Sequence, residues 1–260
     1  MSKRLVGALY LIPLLMAFYV GGIALKIVAL ALSIVGVCEF YKAFKQKDVN
    51  ADCLVGVVLC VVEFIFMILG IKHNYLKIAL VMLFFVSIVL VLINKHTILD
   101  IIITWFGAIY VVFPISEFVS LYESKSDGRQ LTALIFIIAF STDIFAYLVG
   151  CKFGKHKLIP KISPNKTIEG SVGAMIATII ITLLYCMMVG LNLGTWIVVL
   201  IAIIGSTLGQ IGDLFASSIK RYCGIKDFGN LIPGHGGVLD RFDSVLFVSL
   251  WMSIVAMVLA

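Results

Sequence analysis

Long apolar runs separated by short polar stretches dominate the chain. Nine of them approach the ~20 residues that a helix needs to cross ~30 Å of hydrocarbon. They run from Leu5 to Gly22, Ala24 to Phe44, Leu54 to Ile71, Ile78 to Leu92 and Ile98 to Leu121, then from Leu131 to Gly150, Gly170 to Gly190, Gly194 to Phe215 and Phe242 to Leu259. Membrane β-strands would be about 9–11 residues long and alternate in polarity, and these runs do neither. The pattern predicts an all-α, polytopic integral membrane protein with about nine transmembrane helices. The first two runs are split only by Gly21-Gly22 and Lys26, which predicts a tight helical hairpin. Lys3-Arg4 before the first run fits the start of a signal peptide, but no small-x-small site with a polar segment behind it precedes the second run, so an uncleaved span is expected.

Composition removes the alternatives. Of 260 residues, 62% are hydrophobic and 13% charged, and the mean hydropathy is +1.15, against about 45–50% and 25% in soluble domains. A disordered chain needs low hydrophobicity and high charge. Cys38, Cys53, Cys60, Cys151, Cys186 and Cys223 form no C-x-x-C or other metal spacing, so neither a disulfide scaffold nor a thiolate metal site is expected.

Charge sets the orientation. With a cytoplasmic N-terminus, fifteen of the 20 Lys and Arg fall on the cytoplasmic side, leaving Lys26, Lys72, Lys77, Lys125 and Arg129 outside. Lys/Arg bias towards the cytoplasm is the rule for short loops, so the N-terminus is expected inside and the C-terminus outside. Residues 1–130, with spans one to five, read as scaffold. Residues 131–260, with spans six to nine, read as the catalytic region.

Two of the cytoplasmic connections, 151–169 and 217–241, are longer than a turn requires. They hold nine of the 20 cations and three of the five Pro. Each follows a span with an Asp one to two turns from its end, Asp143 and Asp213. An intramembrane carboxylate costs ~2.5–3.5 kcal/mol at a helix centre and is a functional candidate by default; the structural alternative is an ion pair with a loop Lys. Asp143, Tyr147 and Gly150 share one helix face, as do Asp213, Ser217 and Lys220. Asp240 and Asp243 share a face at the start of the last span, where the helix dipole favours carboxylates and N-capping is the structural alternative. Glu39, Glu63 and Glu117 lie in or near other spans with no motif around them, and read mainly as structural.

Four Asp at one membrane face are hard oxygen donors suited to Mg²⁺, and the cations beside them suit phosphate. Gly234-His235-Gly236-Gly237 opens a helix whose amides are expected to cradle a phosphate oxygen. This is equipment for phosphoryl transfer. The chain has no G-x-S-x-G, no Walker A motif and no G-x-G-x-x-G.

The second connection resembles the signature of the phosphatidate cytidylyltransferase (CDP-diglyceride synthetase) family. The matching residues are Ser217, Ile219, Lys220, Arg221, Lys226, Asp227, Gly229, Ile232, Pro233, His235, Gly236, Gly237, Val238, Asp240, Arg241, Phe242 and Asp243, with no departure over 27 positions. A second block resembles the same family through Asp143, Ala146, Tyr147, Gly150, Phe153, Gly154, Lys155, Ser163, Pro164, Lys166, Thr167, Glu169 and Gly170, and Gly212-Asp213-Leu214 fits too. The blocks cover about a quarter of the chain; the first 130 residues match only as generic spans.

The resemblance implies a membrane enzyme of phospholipid synthesis, a homodimer, that converts CTP and phosphatidate to CDP-diacylglycerol and pyrophosphate with one or two Mg²⁺; a monovalent cation is a further candidate cofactor. Membrane lipids are expected partners and nucleic acid is not. The location expected is a bacterial inner membrane with the site facing the cytoplasm. Asp213, Asp240 and Asp243 are the expected metal ligands, with Asp143 as a fourth ligand or an outer acceptor. Lys220, Arg221, Lys226 and Arg241 are expected to neutralise phosphates, and Lys166 to reach CTP or the lipid phosphate. Ser217, Tyr147, Gly236 and Gly237 complete the substrate-binding set. His235 is expected to donate to a phosphate, to order the loop or to ligate metal.

Two other classes fit less well. A transporter would have midplane sites and internal repeats, whereas these motifs lie at one face of the second half. A CDP-alcohol phosphotransferase needs an Asp-Gly-x2-Ala-Arg pattern that is absent. The orientation is testable by labelling. A cysteine placed between Lys125 and Arg129 should react with an impermeant thiol reagent from the non-cytoplasmic side, and one placed between Lys155 and Lys161 should not. The reverse pattern inverts the topology.

Overall fold

The computed structural model describes residues 12–71, 73–124, 127–231, 234 and 236–259. Helices occupy the positions of all nine apolar runs. They are α1 (Ile12–Val20), α2 (Gly22–Lys45), α3 (Cys53–Leu69), α4 (His73–Leu92), α5 (Ile98–Gly107), α6 (Phe113–Tyr122), α7 (Gly128–Phe153), α8 (Ile168–Val189), α9 (Thr195–Cys223) and α10 (Leu239–Leu259). A π-helical turn, Ala108–Val112, joins α5 to α6. Pro114 follows it; a proline lacks the N–H of the regular ladder and clashes with the carbonyl four residues back, so the ladder widens there.

Among the described residues seven helices, not nine, are long and apolar enough to cross a membrane: α2, Tyr75–Leu92 of α4, the joined Ile98–Tyr122, α7, α8, α9 and α10. The protein is therefore integral to a membrane. The third run forms a shorter apolar helix of 17 residues, and the first is described only as Ile12–Val20. The fourth is longer than its apolar run, because α4 begins at His73 and takes the polar residues ahead of Ile78 into its first turns.

The prediction of an all-α chain also needs correction. Lys157–Ile159 (β1) pairs antiparallel with Ser163–Thr167 (β2). Helix α7 runs on to Phe153 and α8 starts at Ile168, so the connection 151–169 is this hairpin rather than an open loop. Similarly α9 continues past Phe215 to Cys223, and Ser217, Lys220 and Arg221 stand on helix.

Caps explain where the helices start. Thr97 and Asp100 form a capping box at α5, with N···O distances of 3.1 and 2.8 Å. Asp52 caps α3 and Thr167 caps α8 by accepting the Gly170 amide at 3.1 Å.

The chain packs as two compact units, Met1–Val119 with Tyr222–Arg241 and Ser120–Arg221 with Phe242–Ala260. The segment Tyr222–Arg241, which sequence reading joins to residues 131–260, thus packs with the N-terminal helices. In the first unit, Tyr41 Oη donates to the Thr104 carbonyl at 2.6 Å, the amides of Asn50 and Asp52 donate to Asp100 and Thr104, both at 2.7 Å, and Lys26 Nζ reaches the Met67 carbonyl at 3.0 Å.

In the second unit, α7 and α8 approach along glycines. A Cβ on Gly170 would stand 2.7 Å from the Ala146 carbonyl oxygen, and one on Gly173 2.6 Å from the Val149 side chain. Small residues that let backbones close in are how membrane helices gain contact. A chain of buried hydroxyls ties in α9: Ser141 and Thr142 meet Thr178 at 3.0 and 3.1 Å, and Thr142 donates to Ser206 at 3.0 Å. Gly170→Ala should therefore lower the thermal stability of the detergent-solubilised protein by about 1–3 kcal/mol, the usual cost of overpacking. A melting temperature equal to wild type would show that the seam has slack.

Candidate active site

The second unit brings together most of the predicted acidic residues with two of the cations. Lys166 on β2 forms an ion pair with the Asp213 carboxylate of α9, both about one quarter exposed. Ser217, one turn along α9, donates to the other Asp213 oxygen at 3.4 Å. Asp243 is buried on α10, and its charged neighbours are Asp213, Lys220 and Asp143. Lys220, two turns beyond Asp213 on α9, is buried as well. Asp143 on α7 accepts a long bond from Ser244 Oγ at 3.5 Å. Among the described residues no three His, Cys, Asp or Glu form a ready metal cage. The donor set is nevertheless all hard oxygen, and Mg²⁺ is usually held by one or two carboxylates together with water and substrate phosphates. Asp213 and Asp243 fit that requirement.

The first unit holds the glycine-rich segment. Asp240 Oδ2 accepts the amides of Phe228 at 2.8 Å and Gly237 at 2.9 Å. Glu39, in the second half of α2, is buried and takes the Val238 amide on Oε1 and the Leu239 amide on Oε2, both at 3.0 Å. The sequence offers these helix-start amides to a phosphate. In the structure the amides of Gly237, Val238 and Leu239 donate to the chain's own carboxylates, since a buried helix start must satisfy its orphan donors. Gly236 has φ +84° and its position leaves no room for a Cβ beside Asp240 Oδ2.

The remaining predicted residues are more scattered. Arg221 is exposed on α9 and its Nε donates to the Ile162 carbonyl in the hairpin turn at 3.4 Å. Tyr147 is 71% exposed on α7. Lys226 and Arg241 are exposed in the first unit. His235 lies outside the described residues.

Against this geometry the profile of the cytidylyltransferase family matches residues 2–259. The chain belongs to the cytidylyltransferase family. Among its relatives, a phosphatidate cytidylyltransferase of Staphylococcus aureus is 36% identical over 249 residues, 95% of each chain. Those of Staphylococcus saprophyticus and Staphylococcus haemolyticus are 48% and 47% identical over 131 residues, so the match spans half the length of this chain and half of theirs.

Two residues of this cytidylyltransferase-family chain gain roles that no sequence signal assigns. Glu39 is separated by 199 and 200 positions from the amides it binds, and a lone Glu in an apolar run carries no mark of such a partner. Glu169 accepts from His156 Nδ1 at 2.6 Å and from the amides of Lys155 and His156 at 3.1 and 3.2 Å. It thereby pins the start of the hairpin to the first turn of α8. Its position in the second motif block was the one available signal.

Proposed function

We propose that the protein transfers the cytidylyl group of CTP to phosphatidate, releasing pyrophosphate and leaving CDP-diacylglycerol in the membrane. The observation that carries this reading is the gathering of Lys166, Asp213, Lys220 and Asp243 from three elements of a membrane protein, in a chain whose family is named for cytidylyl transfer and whose staphylococcal relatives are named phosphatidate cytidylyltransferases. A water-soluble nucleotide and a lipid headgroup can meet only at a membrane boundary. The charge bias of the connections supports the cytoplasmic one.

The reaction is an in-line displacement. An oxygen of the phosphatidate phosphate forms a bond to the α-phosphorus of CTP as the bond from that phosphorus to the bridging oxygen of the β-phosphate breaks. The electron pair leaves with pyrophosphate. No protein nucleophile is required, so the chain's part is positioning and charge neutralisation. Asp213 and Asp243, with Asp143 beside them, would hold one or two Mg²⁺, whose charge offsets that of the triphosphate and the attacking oxygen. Lys166 and Lys220 neutralise phosphate oxygens next to those carboxylates. Asp240 holds the glycine-rich segment through Oδ2, and any metal contact it makes is additional to that. Lys226 and Arg241, in the first unit, are the further phosphate-neutralising candidates that the motif offers. Arg221, exposed and forked, suits a lipid phosphate.

Purified protein with labelled CTP, phosphatidate and Mg²⁺ should yield a lipid-soluble cytidine product. Its absence would reject the reading in favour of a transporter or scaffold. Asp243→Asn should lower turnover at least about 100-fold with the fold intact, the effect of losing several kcal/mol of charge stabilisation. Near-normal turnover at saturating Mg²⁺ would remove Asp243 from the metal site.

The adjacent cations should separate kinetically. Neighbours on a helix point about 100° apart. Lys220 is buried near Asp243, whereas Arg221 is exposed. Lys220→Ala should impair use of CTP, and Arg221→Ala should raise the KM for phosphatidate. A change in the CTP parameters alone with Arg221→Ala would refute its assignment.

A further inference from the structure

We infer that Glu39 is a positioning residue for this reaction, a buried carboxylate post that holds both ends of the signature segment 228–240 and so sets the flanking Lys226 and Arg241 for CTP. The inference rests on the cytidylyltransfer reading above. It goes beyond that reading in bringing in an N-terminal helix that carries none of the signature.

The geometry is specific. Glu39 is 6% exposed, and each of its oxygens serves a different amide, Val238 on Oε1 and Leu239 on Oε2. Two glycines, eight positions apart in the signature, make space for the same carboxylate. A Cβ on Gly237 would lie 2.5 Å from both of its oxygens, and a Cβ on Gly229 would collide with Oε1. Segment 228–240 is thus fitted around Glu39 at both ends. Asp240 closes the same segment from inside, by taking the amides of Phe228 and Gly237 on one oxygen. The segment is bounded by Lys226 on one side and Arg241 on the other, so fixing 228–240 fixes where both cations leave the chain.

The chemistry demands a carboxylate. A buried ionised group is costly unless hydrogen-bonded, and here two amides at the positive end of a helix meet it. Glutamine would match the shape, but it has a single acceptor oxygen. Its NH₂ would face one of the two amides donor to donor. A post needed only to fill space would tolerate that substitution.

The test uses the full-length protein in detergent micelles, with three readouts for Glu39→Gln, Glu39→Asp and Gly237→Ala: thermal stability, hydrogen exchange of peptides covering 228–239 and 141–153, and steady-state kinetics with each substrate varied. Glu39→Gln should melt near wild type, exchange faster in 228–239 and not in 141–153, and lose about 10- to 100-fold in kcat/KM for CTP with the KM for phosphatidate unchanged. Gly237→Ala should reproduce this split. Glu39→Asp keeps both acceptor oxygens one methylene short and should fall between, which also serves where Glu39→Gln does not fold. Wild-type CTP kinetics in Glu39→Gln would overturn the inference, as would equal losses for both substrates with faster exchange throughout. If the wild-type protein forms no cytidine lipid, the reaction itself is rejected, and exchange at 228–239 still reports whether Glu39 holds the segment.

Discussion

Every carboxylate that this chain carries into a membrane helix has to find donors, and that requirement shapes both motif regions. Water is scarce at these positions, and an unpaired ionised group there is far more costly than one on a soluble surface. Glu39 is met by two backbone amides, Asp240 by two more, Asp100 by the amides of Asn50 and Thr97, and Asp213 by the Lys166 ammonium. Each acid draws at least one donor from a connection between helices; Leu239 is the first residue of α10. The acids hold the polar connections against the ends of helices, and the connections in return make the acids tolerable. Long polar segments that would otherwise be loose become parts of the helical scaffold.

The two levels of organisation differed in how far the sequence alone could disclose them. Spans are a local property: twenty apolar residues in a row can be read wherever they occur, and helices stand at each of the nine runs. The lengths were harder, because polar residues do not mark the end of a helix that projects beyond hydrocarbon. Helix α9 continues through Ser217, Lys220 and Arg221 to Cys223 for this reason. The β1–β2 hairpin is three residues paired with five, too short for an alternating pattern to emerge among so many lysines and prolines. Asp213 and Asp243 were visible as charges in apolar surroundings, and their proximity follows from the helices that carry them. Glu39 was equally visible as a charge. Its partners were not, because a bond across some 200 residues leaves no trace in local spacing.

The second unit buries a row of hydroxyls beside its large apolar side chains. Ser141, Thr142, Thr178 and Ser206 are buried and bonded in sequence, and Gln210 reaches Ser206 and the Ser171 carbonyl at 3.5 Å. Lipid tails are as apolar as leucine, so burying leucine between membrane helices brings little net gain, whereas close small-residue contact and interhelical hydrogen bonds do. The ladder ends where the functional candidates begin. Thr142 precedes Asp143 directly, and Gln210 lies one turn before Asp213. Rotating α7 or α9 enough to turn either Asp away would break hydroxyl bonds deeper in the span. The hydroxyl row thus helps to set the register of both carboxylates, alongside the Lys166 ion pair from the connection.

Helix α10 shows how one turn can serve two ends. Asp240 and Asp243 are three residues apart, close enough on a helix to look like a matched pair of ligands. The structure gives them different surroundings: backbone amides of the signature segment around Asp240, and Asp213, Lys220 and Asp143 around Asp243. A carboxylate that binds two amides on one oxygen is doing the work of a cap, stabilising a backbone shape. Asp243 accepts the Ser244 amide at 2.8 Å, and the charge of Lys220 offsets part of the cost of burying it beside other carboxylates. The shared motif thus sets its two acids in different surroundings. Asp240 holds the segment at the start of the helix, and Asp243 stands one turn further along α10 among the charged groups of the second unit.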